Sequence, residues 1–211
     1  MKTNWMMTTT MSVALCAGLL AAAGAARADA VVGQPAPAFS ATDAAGKTVA
    51  LADYKGKYVV LEWVNPGCPF VQKHYDSGNM PATQKASTAK GVVWLAVNST
   101  EKASGDYLAP AELSAWMARK GGAPTATLMD TDGKVGRAYG ARTTPHMYVV
   151  DPQGRLVYAG AIDSKPSANP ADIKTATNYV SQAVSEALAG KPVSQPTSRA
   201  YGCSIKYASA G

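Results

Sequence analysis

Cysteine is scarce in this sequence: Cys16, Cys68 and Cys203 are the only three in 211 residues. Histidine is scarcer still, with only His74 and His146. His74 follows Cys68 by six positions, which on a helix sets them about 240° apart. Two histidines and so few cysteines, without ligand spacing, do not make a metal site. No metal and no cofactor is expected. Of eight methionines, Met1, Met6, Met7 and Met11 crowd the N-terminus and the rest are scattered, which argues against a copper carrier. There is no run of basic residues and no basic stripe with interleaved aromatics. Nucleic acid is therefore not an expected partner, despite a net charge of +6. No internal repeat or long linker divides the chain, which has the length of one domain.

No apolar stretch is long enough to span a bilayer either. The N-terminal run "SVALCAGLLAAAGAA" follows a lone positive charge, Lys2, and closes on the small-x-small sites "ARA" and "ADA". That is the pattern of a secretory signal peptide, with an uncleaved anchor as the alternative. A lipoprotein site at Cys16 is disfavoured, because Leu15 precedes it. The expected organisation is a signal peptide over 1–28, a folded domain over 29–190 and a tail over 191–211. The protein is expected to be periplasmic or otherwise extracytoplasmic, with no stable membrane insertion after cleavage. Only Cys68 and Cys203 then remain, and two cysteines in an exported protein form either a structural disulfide or a redox pair.

What is present reads as alternating strands and helices. "AAGKTVAL" predicts a short hairpin around Gly46, and Tyr58–Val64 a central strand, apolar except for Glu62. Pro69 favours a helix start. Gly91–Asn98 predicts a buried strand, and Pro110–Lys120 a helix with Leu113, Trp116 and Met117 on one face. Thr125–Met129, His146–Asp151 and Leu156–Ala161 predict further strands, with "DPQGR" as the turn between the last two. Asn169 and Pro170 are expected to open a final helix that keeps its spacing to Leu188. The pattern predicts a three-layer α/β domain with a mixed sheet. The tail has no periodicity, yet Tyr201, Cys203, Ile205 and Tyr207 are groups worth burying. Lys73 and Lys165 read as solvated charges.

The chemistry centres on "EWVNPGCPFVQKHY". Cys68 lies between a strand's carboxyl end and a helix start, where unpaired backbone N–H groups favour an anion. Such a thiolate attacks disulfides and peroxides, with a pKa lowered from about 8.5 to somewhere near 3.5–7.5.

"VVLEWVNPGCPFV" resembles the active-site segment of thioredoxin-fold proteins, with Cys68 on the first cysteine of their CxxC and Val71 on the second. "GQPAPAF…GKTVALADYKGKYVVLEW" and "TTPHMYVVDPQGRLVYAG" resemble the alkyl hydroperoxide reductase/thiol-specific antioxidant (redoxin) branch. Within it the chain is most similar to the peroxiredoxin-like group that lacks the full peroxidatic signature. Together these segments cover most of Val32–Ala161. The resemblance implies a thioredoxin-like α/β/α fold around a central mixed sheet. It places Pro145 on the cis-proline loop, so that Thr144 and Pro145, with Asn65 and Pro69, would shape a substrate groove. Glu62 would be the buried acid that relays protons; a strand-edge glutamate reaching solvent is the alternative.

The peroxidatic pattern Pro-x-x-x-Thr/Ser-x-x-Cys is not met, since Leu61 and Asn65 hold the proline and hydroxyl positions. Asn65 and Arg142 are its nearest substitutes, and His146 is a further auxiliary candidate. Val71 cannot resolve a mixed disulfide, which leaves Cys203, in a "YGCSIKY" tail similar to one found in this group. The chain from Gly190 reaches at most about 43 Å, comparable to a domain span of ~40 Å. A Cys68–Cys203 bond would contribute about 5 kcal/mol by restricting the unfolded chain, which suits a permanent staple as well as a redox pair. An unrelated cysteine is the third reading. The expected function is an exported thiol–disulfide oxidoreductase with Cys68 as nucleophile and Cys203 as resolving thiol. Its partners would be protein thiols and disulfides or a small oxidant, and a dithiol electron donor. The alternatives are a peroxide-reducing antioxidant and a non-catalytic scaffold closed by a structural disulfide.

Overall fold

A computed structural model describes Met1 and residues 30–209; the expected signal peptide and Cys16 lie outside the described residues. The strands are β1 (Ser40–Asp43), β2 (Thr48–Ala50), β3 (Val59–Trp63), β4 (Val93–Asn98), β5 (Ala126–Met129), β6 (Thr143–Thr144), β7 (His146–Val150), β8 (Leu156–Gly160) and β9 (Cys203–Ser204). Seven of them form one mixed sheet in the order β2-β1-β5-β4-β3-β7-β8. The central pairs β3–β4 and β4–β5 are parallel, while β7 and β8 return antiparallel beside β3.

The apolar run of β3 has the reason expected for a strand covered on both faces. Val59, Leu61 and Trp63 enter one core cluster, and Val60 and Val64 the other. The helices are α1 (Pro69–Asp76), α2 (Asn79–Thr88), α3 (Pro110–Arg119), α4 (Lys134–Tyr139) and α5 (Tyr179–Leu188). Side chains of α1, α2, α3 and α5 pack with Val60 and Trp94, whereas α4 joins the opposite cluster through Val135 and Tyr139. This is the thioredoxin-like α/β/α arrangement.

Two features depart from expectation. The final helix is broken: Asn169 caps a 3₁₀ turn over Pro170–Thr175, Ala176 is extended, and Asn178 starts α5 by accepting the Ser181 N–H at 2.9 Å. Asparagine side chains compete for backbone N–H groups, so a second one can restart a helix inside an apolar periodicity. Helix α2 gave no apolar signal because Thr83, Gln84 and Ser87 are buried there. The Thr83 and Ser87 hydroxyls are satisfied by carbonyls of their own helix, both at 2.8 Å.

The residues after Gly190 fold onto the body. Ser198 bridges to β8, with its N–H on the Ala159 carbonyl and its Oγ accepting the Ala161 N–H. Beyond it β9 pairs antiparallel with β6, matching Thr144 to Cys203 and Thr143 to Ser204. The Ile205 N–H then reaches the Arg142 carbonyl at 3.1 Å, and the Tyr207 hydroxyl donates to the Ala141 carbonyl at 2.8 Å.

Candidate active site

The turn leaving β3 is built by Asn65. Its carbonyl accepts the Cys68 N–H at 3.0 Å and its Oδ1 accepts the Gly67 N–H at 2.8 Å, while its amide donates to Thr100 Oγ1 at 3.2 Å. Asn65 thus builds the turn with its carbonyl and Oδ1 and ties it to Thr100 through its amide. Cys68 is the N-cap residue of α1, with Pro69 at the first helical position. The sequence wrote this junction legibly, since proline suits that position and lacks the N–H that would go unpaired there.

Cys68 and Cys203 are joined in a disulfide with Cα atoms 5.9 Å apart, inside the normal range. The unrelated-cysteine reading is thereby set aside. Thr144–Pro145 is cis, and the Thr144 carbonyl lies 3.0 Å from Cys68 Sγ. In the disulfide that sulfur carries no proton, so this is a packing contact; on reduction it becomes a thiol donor's partner. Cys68 is 2% exposed beneath the tail, whereas Cys203 is half-buried. Between them the fit is close. Gly202 sits at φ +138°, and a Cβ there would collide with the Thr144 oxygen, so only glycine lets β9 approach β6. A groove of about 530 Å³ opens beside the disulfide, lined by Thr143, Asp163, Arg199, Tyr201 and Gly202.

Glu62 is fully buried, which replaces the solvent-reaching alternative. Tyr75 donates to its Oε1 at 2.7 Å, and Trp94 and Gln84 donate to Oε2 at 2.7 and 2.8 Å. Burial outweighs these three donors and raises its pKa above the ordinary 4.5. None of these partners is a sulfur. Because the folded value exceeds the unfolded one, the protonated carboxyl favours the native state. Its stabilising contribution is full below pH 4.5 and is lost as pH rises through the raised value. The unfolding free energy of wild type minus that of Glu62→Gln should therefore be largest in acid and fall as pH rises. A difference that stays flat, measured by urea titration with the disulfide intact, contradicts this assignment.

The Arg142 side chain is exposed, and its backbone serves Ile205 and His146 Nδ1. His146 stacks on Tyr148 and is held neutral, its pKa lowered to about 4 chiefly by burial and then by the Arg142 charge. Among the described residues no cluster of ligating side chains suits a metal ion.

The reading of Lys73 as a solvated charge is corrected. It is buried, with Nζ 3.6 Å from Asp163 Oδ2, donating to the Lys165 carbonyl at 2.9 Å and 5.6 Å above the Tyr201 ring. Asp163 is equally buried, and its Oδ1 accepts the Tyr201 hydroxyl. His74 completes the group. Its Nδ1 faces the Asn79 amide at 2.8 Å and its Nε2 the Tyr201 oxygen at 3.1 Å, and burial lowers its pKa to about 4. Lys73 and Asp163 left no local signal in the sequence; only the odd aromatic two positions before Cys203 hinted that the tail had a seat.

The AhpC/TSA family profile matches residues 32–159, a span that ends before the tail. An uncharacterized conserved protein from Geobacillus kaustophilus shares 27% identity at a TM-score of 0.72, over 86% of this chain and 94% of its own. A hypothetical protein from Sinorhizobium meliloti 1021 shares 25% identity at 0.70, over 87% and 98%. A thiol:disulfide interchange protein from a Bacteroides species shares the fold at 22% identity and 0.50, over 69% and 88%. No curated protein matches the chain.

Proposed function

The chain belongs to the AhpC/TSA family, and on that premise we propose that it is an extracytoplasmic thiol–disulfide oxidoreductase in which Cys68 is the nucleophile and Cys203 resolves. The observation that carries this reading is the disulfide itself, set at a helix N-terminus opposite the Thr144–Pro145 loop.

In the reduced protein the Cys68 thiolate attacks one sulfur of a substrate disulfide and expels the other as a thiolate, which takes up a proton. Cys203, deprotonated, then attacks the Cys68 sulfur of the mixed disulfide. The second substrate thiolate leaves, and the Cys68–Cys203 bond forms. Two electrons have passed from the protein to the substrate. A dithiol donor reverses the oxidation by attacking Cys203, the more exposed sulfur, with Cys68 leaving as the thiolate that the helix terminus stabilises. The donor's second thiol then frees Cys203. The reverse direction oxidises a substrate dithiol by the same steps. On this reading Thr144, Pro145, Asn65 and Pro69, the residues flanking Cys68 in sequence or across the cis-proline loop, would meet the substrate once the tail moves aside, and Glu62 serves as the buried proton acceptor behind α1, which it meets through Tyr75. The peroxidase alternative is less well supported, because Leu61 and Asn65 hold the proline and hydroxyl positions of the peroxidatic signature and the Arg142 side chain is exposed.

Intact-mass thiol counting across a glutathione series tests the reading. The two thiols are expected to appear together at a midpoint above about −300 mV, the range below which structural disulfides lie. A bond that persists below that potential identifies a staple and overturns the redox reading.

A further inference from the structure

The buried Lys73–Asp163 pair is an expensive construction. Taking two charges out of water is repaid only with good geometry and further hydrogen bonds. Here the Asp163 Oδ2 receives no hydrogen bond among the described residues; Lys73 Nζ stands 3.6 Å from it and His74 Nε2 3.9 Å. Replacing such a pair with apolar residues is often neutral or stabilising, so folding alone does not explain it.

What the pair does hold is the tail. The Tyr201 hydroxyl donates to Asp163 Oδ1, its ring lies under the Lys73 ammonium, and Phe70 meets it edge-on at 5.8 Å. His74 faces the same hydroxyl oxygen. Lys73, His74 and Phe70 all stand on α1, the helix whose N-cap is Cys68. Tyr201 precedes Cys203 by two positions, with Gly202 between them pressed onto the Thr144 carbonyl. One helix therefore carries the nucleophile at its start and the socket for its partner's neighbour along its body.

We infer that Lys73 and Asp163 are positioning residues that seat Tyr201 and so keep Cys203 over Cys68 when the disulfide is open. The inference rests on the redox reading above and extends it: the seat raises the effective concentration of the resolving thiol. Anchors on either side at Ser198 and Ile205 confine the segment, and the Tyr201 hydroxyl fixes where its middle rests. Holding reactants in place is worth far more than adding contacts elsewhere.

Tyr201→Phe in the full chain is the test, because it removes the hydroxyl while leaving the ring, the Lys73–Asp163 pair and both cysteines. A hydrogen bond to a charged group is worth about 1.5–3 kcal/mol, so the equilibrium constant for forming the disulfide against glutathione should fall about tenfold. That moves the midpoint about 30 mV toward easier reduction. Asp163→Asn should move it in the same direction. Thermal unfolding of Tyr201→Phe in a Cys203→Ser background, where no disulfide forms, measures any purely structural loss separately. A Tyr201→Phe equilibrium constant within twofold of wild type overturns the positioning role while leaving the redox reading intact. A wild-type disulfide that resists reduction overturns both.

Discussion

Cys68→Ser should abolish disulfide exchange, lowering reduction of a protein disulfide by about three orders of magnitude or more. Cys203→Ser should fail differently. Its Cys68 still attacks, but no thiol arrives to displace the substrate, so a one-to-one mixed disulfide on Cys68 accumulates and turnover stalls. The pair of variants is decisive because stability cannot explain the contrast. Both remove the same cross-link, which spans 135 residues and is worth about 5 kcal/mol through the unfolded chain. Whatever that loss does to the fold, it does equally to each. Intact-mass spectrometry of each variant after mixing with an oxidised model peptide gives the answer. A Cys68→Ser protein that still exchanges, or a Cys203→Ser protein that turns over like wild type, removes the assigned roles.

Much of this site could be read along the chain because its parts are local. The β3 run is apolar on both faces, Pro69 marks the start of α1, and the Thr144–Pro145 loop lies directly before β7. Each is set by residues within a few positions of one another. The pairing of Cys203 with Cys68 was within reach of the sequence only as one of three alternatives, since chain length permits such a contact without requiring it. The tail's aromatics hinted that it was seated, but the residues that seat it could not be read. Lys73 stands in a helix between Gln72 and His74, where a charge normally means a solvated face. Its burial is decided by Asp163 after β8 and by Tyr201 in the tail, and no periodicity connects positions so far apart. Helix α2 was missed for the complementary reason. Beside Met80 and Pro81 its buried face is Thr83, Gln84 and Ser87, polar groups that look solvated until the fold covers them, as when the Gln84 amide meets Glu62. The sequence thus displayed the cysteine that we propose as nucleophile and concealed the group that we assign to hold its partner.

That concealed group sets the largest stability effect expected outside the disulfide. Asp163→Ala should destabilise the oxidised protein by about 3–5 kcal/mol, the usual result of stranding one charge of a buried pair. In a chain of this size each kcal/mol lowers Tm by roughly 2–4 °C, so a fall of about 10 °C is expected by calorimetry. Lys73 keeps the Lys165 carbonyl, but a neutral oxygen does not offset a buried ammonium. The double variant Lys73→Met with Asp163→Leu removes both charges together and should recover most of that loss, because no ion is left unpaired. The two consequences then separate. The double variant is stable but offers Tyr201 no carboxylate, so its disulfide should open at a less negative potential, as in Tyr201→Phe. If it regains both stability and the wild-type midpoint, the pair is only a packing device. If stability returns and the midpoint stays shifted, the charges are there to place the resolving sulfur.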